Sequence, residues 1–276
     1  MKYDWFFNLF FFEINYKILK ERKTFTDQMG NVLSLALPLK RIISLVPSQT
    51  ELLYDLGLDE EIVGITKFCV HPSHWRKEKL IVGGTKNFNV ESIDRLQPDL
   101  IIGNKEENYQ EGIELLQKKY PVWMSDIVTL DDALAMISSL SQITGKQNSG
   151  EAMVEQIAAS FKKIRPFNAS VLYLIWRKPW MGVGRNTFIH SLLEMIGFTN
   201  VLQTERYPEL SEEKIKELNP EVMFLSSEPY PFNEQHLDDV KQLIPKTKII
   251  LVDGEMFSWY GSRLLKASDY FKNLVL

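Results

Sequence analysis

Glu91-Ser-Ile93-Asp-Arg-Leu96-Gln-Pro98-Asp99-Leu-Ile-Ile102 recurs, in altered form, as Glu213-Lys-Ile215-Lys-Glu-Leu218-Asn-Pro220-Glu221-Val-Met-Phe224. The shared frame is Glu-x-Ile-x-x-Leu-x-Pro-acid followed by an apolar run. Its spacing predicts a short amphipathic helix, stopped by proline, then a Pro-acid turn and a strand. An apolar run without polar alternation is the pattern of a strand buried on both faces of a parallel sheet. The copies stand 122 residues apart (213 − 91). Two copies imply two similar lobes, and a cleft between lobes is a preferred place for a ligand.

The likeness extends outward from this block. Arg41 to Val46 reads as a strand, and Thr50 to Gly57 as a helix closed by glycine. Ser170 to Ile175 and Thr187 to Gly197 repeat that pair. Pro121 to Asp126 and Lys248 to Asp253 are both strands ending in Asp, each before a helix. Both lobes are thus built of β-α-β units. Thr129 to about Arg165 is helical in pattern, with a break expected near Gly145 to Gly150. Its second half joins the lobes as a stiff helix, which limits hinge opening. The expected fold is α/β, with two similar lobes, central mainly parallel sheets and a long rigid connecting helix. The expected divisions are 1–37, an extension and lead-in; 38–145, the first lobe; 146–167, the connecting helix; and 168–276, the second lobe.

Composition narrows the function. Of 276 residues, 45% are hydrophobic, a globular value that argues against disorder. The net charge of −4 leaves no chain-wide basic footprint for nucleic acid. One cysteine, Cys69, excludes an internal disulfide and a cysteine-based zinc or iron–sulfur site. Phe6 to Phe12 is aromatic and apolar but too short to span a bilayer. Asp4 and Glu13 flank it, and no cleavage pattern follows, so it is a poor export signal. A surface-packed extension, an upstream start codon and an atypical export or anchoring segment are the open readings. Lys20 to Asp27 reads as a polar linker.

No phosphate loop, dinucleotide fingerprint or nucleophile elbow is present. Asp126 and Asp253 fall at strand C-terminal ends, where α/β sites lie, although helix capping uses Asp equally well. His71, in Cys69-Val-His71-Pro-Ser-His74, is a candidate metal or axial ligand; a polar loop residue beside an inward Cys69 is the alternative. Aromatic residues clustered near strand ends are the sharper signal. Trp176, Arg177 and Trp180 follow the first strand of lobe two; Tyr207 precedes the repeat helix; Trp259 and Arg263 follow Asp253. His71 and Thr85 lie at the matching edge of lobe one. Mixed aromatic and basic loops suit a large, flat, partly apolar and partly anionic ligand. Glu91 and Glu213 offset the positive ends of equivalent helices, and also suit docking onto a two-fold partner that presents arginines. A reactive constellation of His71, Asp253 and Glu255 would instead mark an intracellular enzyme or cofactor-handling protein.

Arg41-Ile-Ile-Ser-Leu-Val-Pro-Ser-x-Thr-Glu-Leu-Leu-x-x-Leu-Gly57, Val63-Gly-Ile-Thr66, Val82-Gly-Gly84, Leu96-x-Pro-Asp-Leu-Ile-Ile102 and Gly261-Ser-Arg263 together resemble the cobalamin and iron-siderophore binding proteins of ABC importers. The resemblance runs from about Thr24 to Leu276. It implies a non-enzymatic binding protein with no permanently bound cofactor. Its cargo would be cobalamin or a ferric chelate, siderophore or haem, and its partner an ABC permease and ATPase complex. It implies a periplasmic location, with a cytoplasmic one as the alternative. Carried over by position, Glu91 and Glu213 match the transporter-docking glutamates. His71, Thr85, Ile175 to Arg177, Tyr207 and Asp253 fall where the cobalamin-binding member contacts its ligand, and Trp180, Trp259 and Arg263 extend that wall. His71 and Thr85 stand where that member has aromatic residues.

Overall fold

A computed structural model describes residues 21–276; the Phe6 to Phe12 run lies outside them. The chain opens with a hairpin, β1 (Glu21–Thr26) and β2 (Val32–Leu37). Lys20 to Asp27 was expected to be a linker, but Glu21 to Thr26 is a strand. Leu33 and Leu35 alternate inward on β2, and Asp27 fixes the turn. Its carboxylate accepts from the backbone N–H groups of Met29, Asn31 and Met124, at 2.9, 2.7 and 3.0 Å. Short-range sequence did not reveal this partner on a distant strand.

The first sheet contains β3 (Ile42–Ser44), β4 (Ile62–Ile65), β5 (Leu80–Ile81), β8 (Leu100–Asn104) and β9 (Val122–Ser125). They are ordered β5-β4-β3-β8-β9 and are parallel throughout. A small hairpin, β6 (Gly83–Gly84) and β7 (Asn87–Phe88), stands beside it. Helices α1 (Pro47–Asp55), α2 (Trp75–Glu78), α3 (Val90–Leu96) and α4 (Gln110–Gln117) connect these strands. The second sheet has β10 (Ala169–Trp176), β11 (Trp180–Gly182), β12 (Phe198–Asn200), β13 (Glu209–Leu210), β14 (Val222–Ser226) and β15 (Lys248–Val252). Strands β10, β12, β14 and β15 run parallel, while β11 and β13 form an antiparallel edge. Its helices are α7 (Phe188–Met195), α8 (Glu212–Leu218), α9 (Leu237–Leu243), α10 (Gly254–Ser258) and α11 (Arg263–Lys272).

The repeated block folds the same way twice. Helices α3 and α8 end at Gln97 and Asn219, both left-handed, with φ of 41° and 42°. Strands β8 and β14 follow, and every residue of both is buried. The acid of each Pro-acid turn ties down the start of its lobe's first strand. Asp99 accepts from the Lys40 N–H at 2.8 Å, and Glu221 from the Ser170 N–H at 2.7 Å.

Between the sheets in the chain lie α5 (Leu130–Ile143) and α6 (Gln147–Phe161). The break falls at residues 144–146, so Gly150 is inside α6 rather than in the gap. A Cβ at Gly150 would stand 2.1 Å from Ser141 Oγ, so the missing side chain lets α6 lie close against α5. Apolar Met153, Ile157 and Phe161 of α6 enter a single core that includes Ile42 and Leu52 of the first lobe and Tyr173, Phe224 and Phe271 of the second.

Gly57 and Gly197 close equivalent helices with φ of 76° and 90°, in the region that disfavours a side chain. Around Gly57 the nearest atom to an added Cβ is Lys146 Nζ at 3.9 Å, whereas at Gly197 it is Pro166 Cβ at 2.6 Å. Gly57→Ala is therefore expected to cost about 1 kcal/mol. Gly197→Ala adds overpacking and is expected to cost about 3 kcal/mol. Urea midpoints of the two variants check the order; equal losses would contradict it.

Candidate functional site

The C-terminal ends of both parallel sheets meet. On the first lobe these are the loops after β4 and β8 and the start of α1. On the second they are the loops after β10, β14 and β15. Ion pairs span the seam. Arg263 Nε donates to Glu51 Oε2 at 2.8 Å, and Lys266 Nζ reaches Glu51 Oε1 at 3.1 Å. Glu255 Oε2 meets His71 Nε2 at 3.1 Å, and Arg206 meets Glu106 at 3.0 Å. Arg263 Nη1 also reaches Glu255 Oε2 at 3.1 Å, which makes a chain Glu51–Arg263–Glu255–His71 from one lobe to the other and back. Glu51 and Arg263 are buried. Gly261, with φ of 130°, allows the approach: a Cβ there would lie 3.2 Å from the Ser48 carbonyl.

The first-lobe strand ends carry a buried polar lattice. Thr50 Oγ1 donates to Ser44 Oγ at 2.8 Å, and Gln49 Nε2 to Ser125 Oγ at 2.5 Å. Asn108 Nδ2 donates to the Leu45 and Thr85 carbonyls at 3.3 and 3.0 Å. Asn104 accepts from the Glu106 and Glu107 N–H groups at 2.8 and 3.0 Å, which turns both glutamates toward the second lobe. Neighbouring strand ends create this lattice, so residue spacing alone could not expose it.

The aromatic residues divide into two groups. Trp259 is buried at the seam, with its ring 5.4 Å from His71 and the Arg263 guanidinium 5.1 Å above it. Its Nε1 donates to Glu228 Oε1 at 3.0 Å. Tyr207 hydrogen-bonds Glu106, and burial, then that carboxylate, pushes the phenol well above its ordinary range. Trp176 and Trp180 turn toward a second cluster. Trp176 meets Tyr230 edge-on at 5.6 Å and remains 38% exposed, whereas Trp180 stacks on Phe232 at 6.3 Å. Arg177 lies over Trp180 and pairs with Asp239 of α9. Trp180 and Arg177 are therefore engaged on the outer face of the second sheet, drawn there by Phe232 and Asp239, which the sequence reading did not single out. Thr85 is buried in the β6–β7 hairpin.

Asp253 caps α10, accepting from the Glu255 N–H at 3.1 Å, as its capping alternative anticipated. Asp126 pairs with Lys105 at 2.6 Å; Thr129 caps the next helix. Cys69 is buried on Thr50 and Thr66, and burial raises its thiol, so it forms no ligand pair with His71. The Asp59, His74 and Glu78 grouping is exposed, and Asp59 is already bound by Trp75 and Lys79. Glu91 and Glu213 are exposed in the first turns of α3 and α8. Free backbone N–H at the α8 start, then Ser211, holds Glu213 below the ordinary carboxylate range.

Arg177 and Arg263, the arginines expected to face an anionic ligand, are spent on the protein's own acids, Arg177 on Asp239 and Arg263 on Glu51 and Glu255; Arg206, not among those expected, is spent on Glu106. Glu107 and Glu228, by contrast, are half-buried and form no salt bridge among the described residues. Burial pushes both carboxyls up; Glu106 adds to the shift at Glu107 and Glu255 to that at Glu228. A separate concavity of ≈ 430 Å³ lies between residues 23–26 and α5. It gathers none of these groups, so the seam is the better site.

The model for the periplasmic binding protein family matches residues 42–244. The chain belongs to this family. Its members are binding proteins rather than enzymes. A vitamin B12-binding protein of Vibrio campbellii is 27% identical over 197 residues, 68% of this chain and 71% of that one. The periplasmic catecholate-siderophore binding protein of Vibrio cholerae shares the fold with a TM-score of 0.73, at 19% identity over 90% of this chain and 97% of that one. A periplasmic heme-binding protein from Roseiflexus does so with a TM-score of 0.71, at 22% identity over 86% and 99%. Among the described residues no helix is long and apolar enough to cross a membrane.

Removing one member of the buried chain strands another. Glu51→Gln is expected to cost about 3 kcal/mol, because buried Arg263 then keeps only Glu255 as a charged partner, measured by urea unfolding. Glu228→Gln has the opposite sign. The raised Glu228 carboxyl means the folded protein holds more protons than the unfolded one between the ordinary and raised values. Wild-type stability then gains as pH falls through that window. The variant, lacking the charge, should be the more stable near neutrality, with the difference closing in acid. A pH series of melting midpoints reads this directly, and a constant difference would refute it.

Proposed function

We propose that the protein captures a corrinoid at the inter-lobe seam and delivers it to an ABC permease and ATPase complex outside the cytoplasmic membrane. The observation that carries this reading is the convergence of Trp259, His71 and Tyr207 from both lobes on one seam, in a family whose relatives include vitamin B12-binding proteins. Aromatic faces cover a flat macrocycle, and the neighbouring carboxylates and hydroxyls accept from its amide rim. The half-exposed Trp176 extends the wall at the second-lobe strand end. Closure is small, because α6 belongs to one core with both sheets. Glu91 and Glu213 dock the loaded protein, one on each lobe. Haem is the second reading: His71 offers an imidazole, with its side chain 39% exposed, at the seam. A ferric siderophore is a third cargo that the fold accommodates.

Titration of the purified chain with cyanocobalamin, ferric siderophores and haemin, followed by absorbance and calorimetry, tests the cargo. Cyanocobalamin is expected to bind, and Trp176→Ala to weaken it by about tenfold, the worth of one aromatic contact. A shifted Soret band lost in His71→Ala would replace corrinoid with haem. For delivery, Glu91→Arg with Glu213→Arg should abolish uptake while ligand affinity changes less than about twofold. Undiminished uptake by that double variant would remove the docking role.

A further inference from the structure

We infer that the cleft sorts its cargo by charge: Glu107 and Glu228, presented from opposite lobes, select a metal chelate that carries no net negative charge and whose rim donates hydrogen bonds, given that the seam is the chelate site proposed above. The sequence repeat matches Glu228 to Glu106, the neighbour of Glu107. Glu106 and Glu228 stand 122 residues apart (228 − 106), the same offset as Glu91 and Glu213. Each follows the last residue of an equivalent buried strand, Asn104 of β8 or Ser226 of β14. Those two residues build the turns. Asn104 Oδ1 accepts from the Glu106 and Glu107 N–H groups, and Ser226 Oγ donates to the Glu228 carbonyl at 2.6 Å. Glu106 and Glu228 are therefore held by buried side chains at matched positions of the two lobes, and Glu107 is fixed beside Glu106 by the same Asn104.

Their charges are not matched by the protein. Glu106 has Arg206, and Glu255 has Arg263 and His71. Lys86 faces Glu107 and eases its charge, but its Nζ is hydrogen-bonded to the Glu106 carbonyl. Glu228 accepts from Ser258 Oγ and Trp259 Nε1, both through Oε1, which leaves Oε2 open. The Glu228 charge acts on Glu107 across the seam. The Tyr260 hydroxyl, on a residue 6% exposed, has Ser48 beside it but makes no well-formed hydrogen bond among the described residues, and Glu107 and Glu106 are the carboxylates that act on it. A half-buried, unpaired carboxylate demands donors or a cation. Primary amides at the rim of a chelate supply donors to each carboxylate oxygen. Rim carboxylates or catecholates supply none and add like charge at close range.

The test compares chelates that differ in charge. One pair is cyanocobalamin and a corrinoid whose peripheral carboxamides are hydrolysed to carboxylates. The other is a cationic ferric trihydroxamate and an anionic ferric tris-catecholate. Each is titrated by calorimetry into the full chain and into the Glu107→Gln/Glu228→Gln double variant, with melting midpoints confirming that both are folded. Within whichever pair binds, the uncharged or cationic member is expected to bind wild type at least about tenfold more tightly, and the double variant to bring the two within about threefold. Wild-type preference for the anionic member, or a ratio that survives the double substitution, would overturn the inference. Silence from both corrinoids with the preference intact in the ferric pair would overturn only the corrinoid reading.

Discussion

One hydrophobic core serves both lobes. Buried residues of the first sheet, the second sheet, α5, α6 and α11 belong to a single cluster, while Ile43, Leu45 and Ile101 in one lobe and Leu172, Leu174 and Met223 in the other form outer cores of their own. Separating the lobes would expose apolar surface at about 25 cal/mol per Å². That constraint keeps the strand ends facing one another, and every feature of the seam follows from it. Gly261 can approach Ser48, Arg263 can be buried against Glu51, and loops from distant parts of the chain can share a site.

The seam is not a passive gap. Its buried ion pairs are weak sources of stability, because desolvation offsets much of their attraction. They are better understood as registration. Arg263 reads both Glu51 on the first lobe and Glu255 on its own, and Glu255 in turn reads His71. Only one relative placement satisfies all of them. The same arrangement consumes the cations, so an aromatic and basic wall in the sequence becomes an aromatic and acidic seam in space. That acidic character is what the proposed selection of cargo by charge rests on.

The repeat gives this asymmetry-tolerant fold its economy of positions. Asp99 and Glu221 tie equivalent strands, Gln97 and Asn219 end equivalent helices, and Glu106 and Glu228 occupy equivalent strand ends. The two lobes nevertheless differ where they meet. Asn104 organises its turn with a side-chain amide and Ser226 with a hydroxyl, and only the first lobe carries a second glutamate at the turn. Similar backbones thus present unequal chemistry to one cleft.

The sequence by itself determined the α/β class, the duplicated lobes and most element positions. Local spacing encodes these: the Glu-x-Ile-x-x-Leu-x-Pro-acid frame sets a helix, its stop and a buried strand within a dozen residues. It also singled out His71, Tyr207, Trp259 and Arg263 beside strand ends. The tertiary structure alone decided which of the expected wall residues share a site. Trp180 and Arg177 are held by Phe232 and Asp239, and the hairpin at Asp27 is fixed by Met124. It also revealed that Glu107 and Glu228, half-buried at the seam, form no salt bridge among the described residues. The physical reason is range. Helix and strand patterns are written in neighbours, but the partner of a charge is set by packing between segments far apart in the chain.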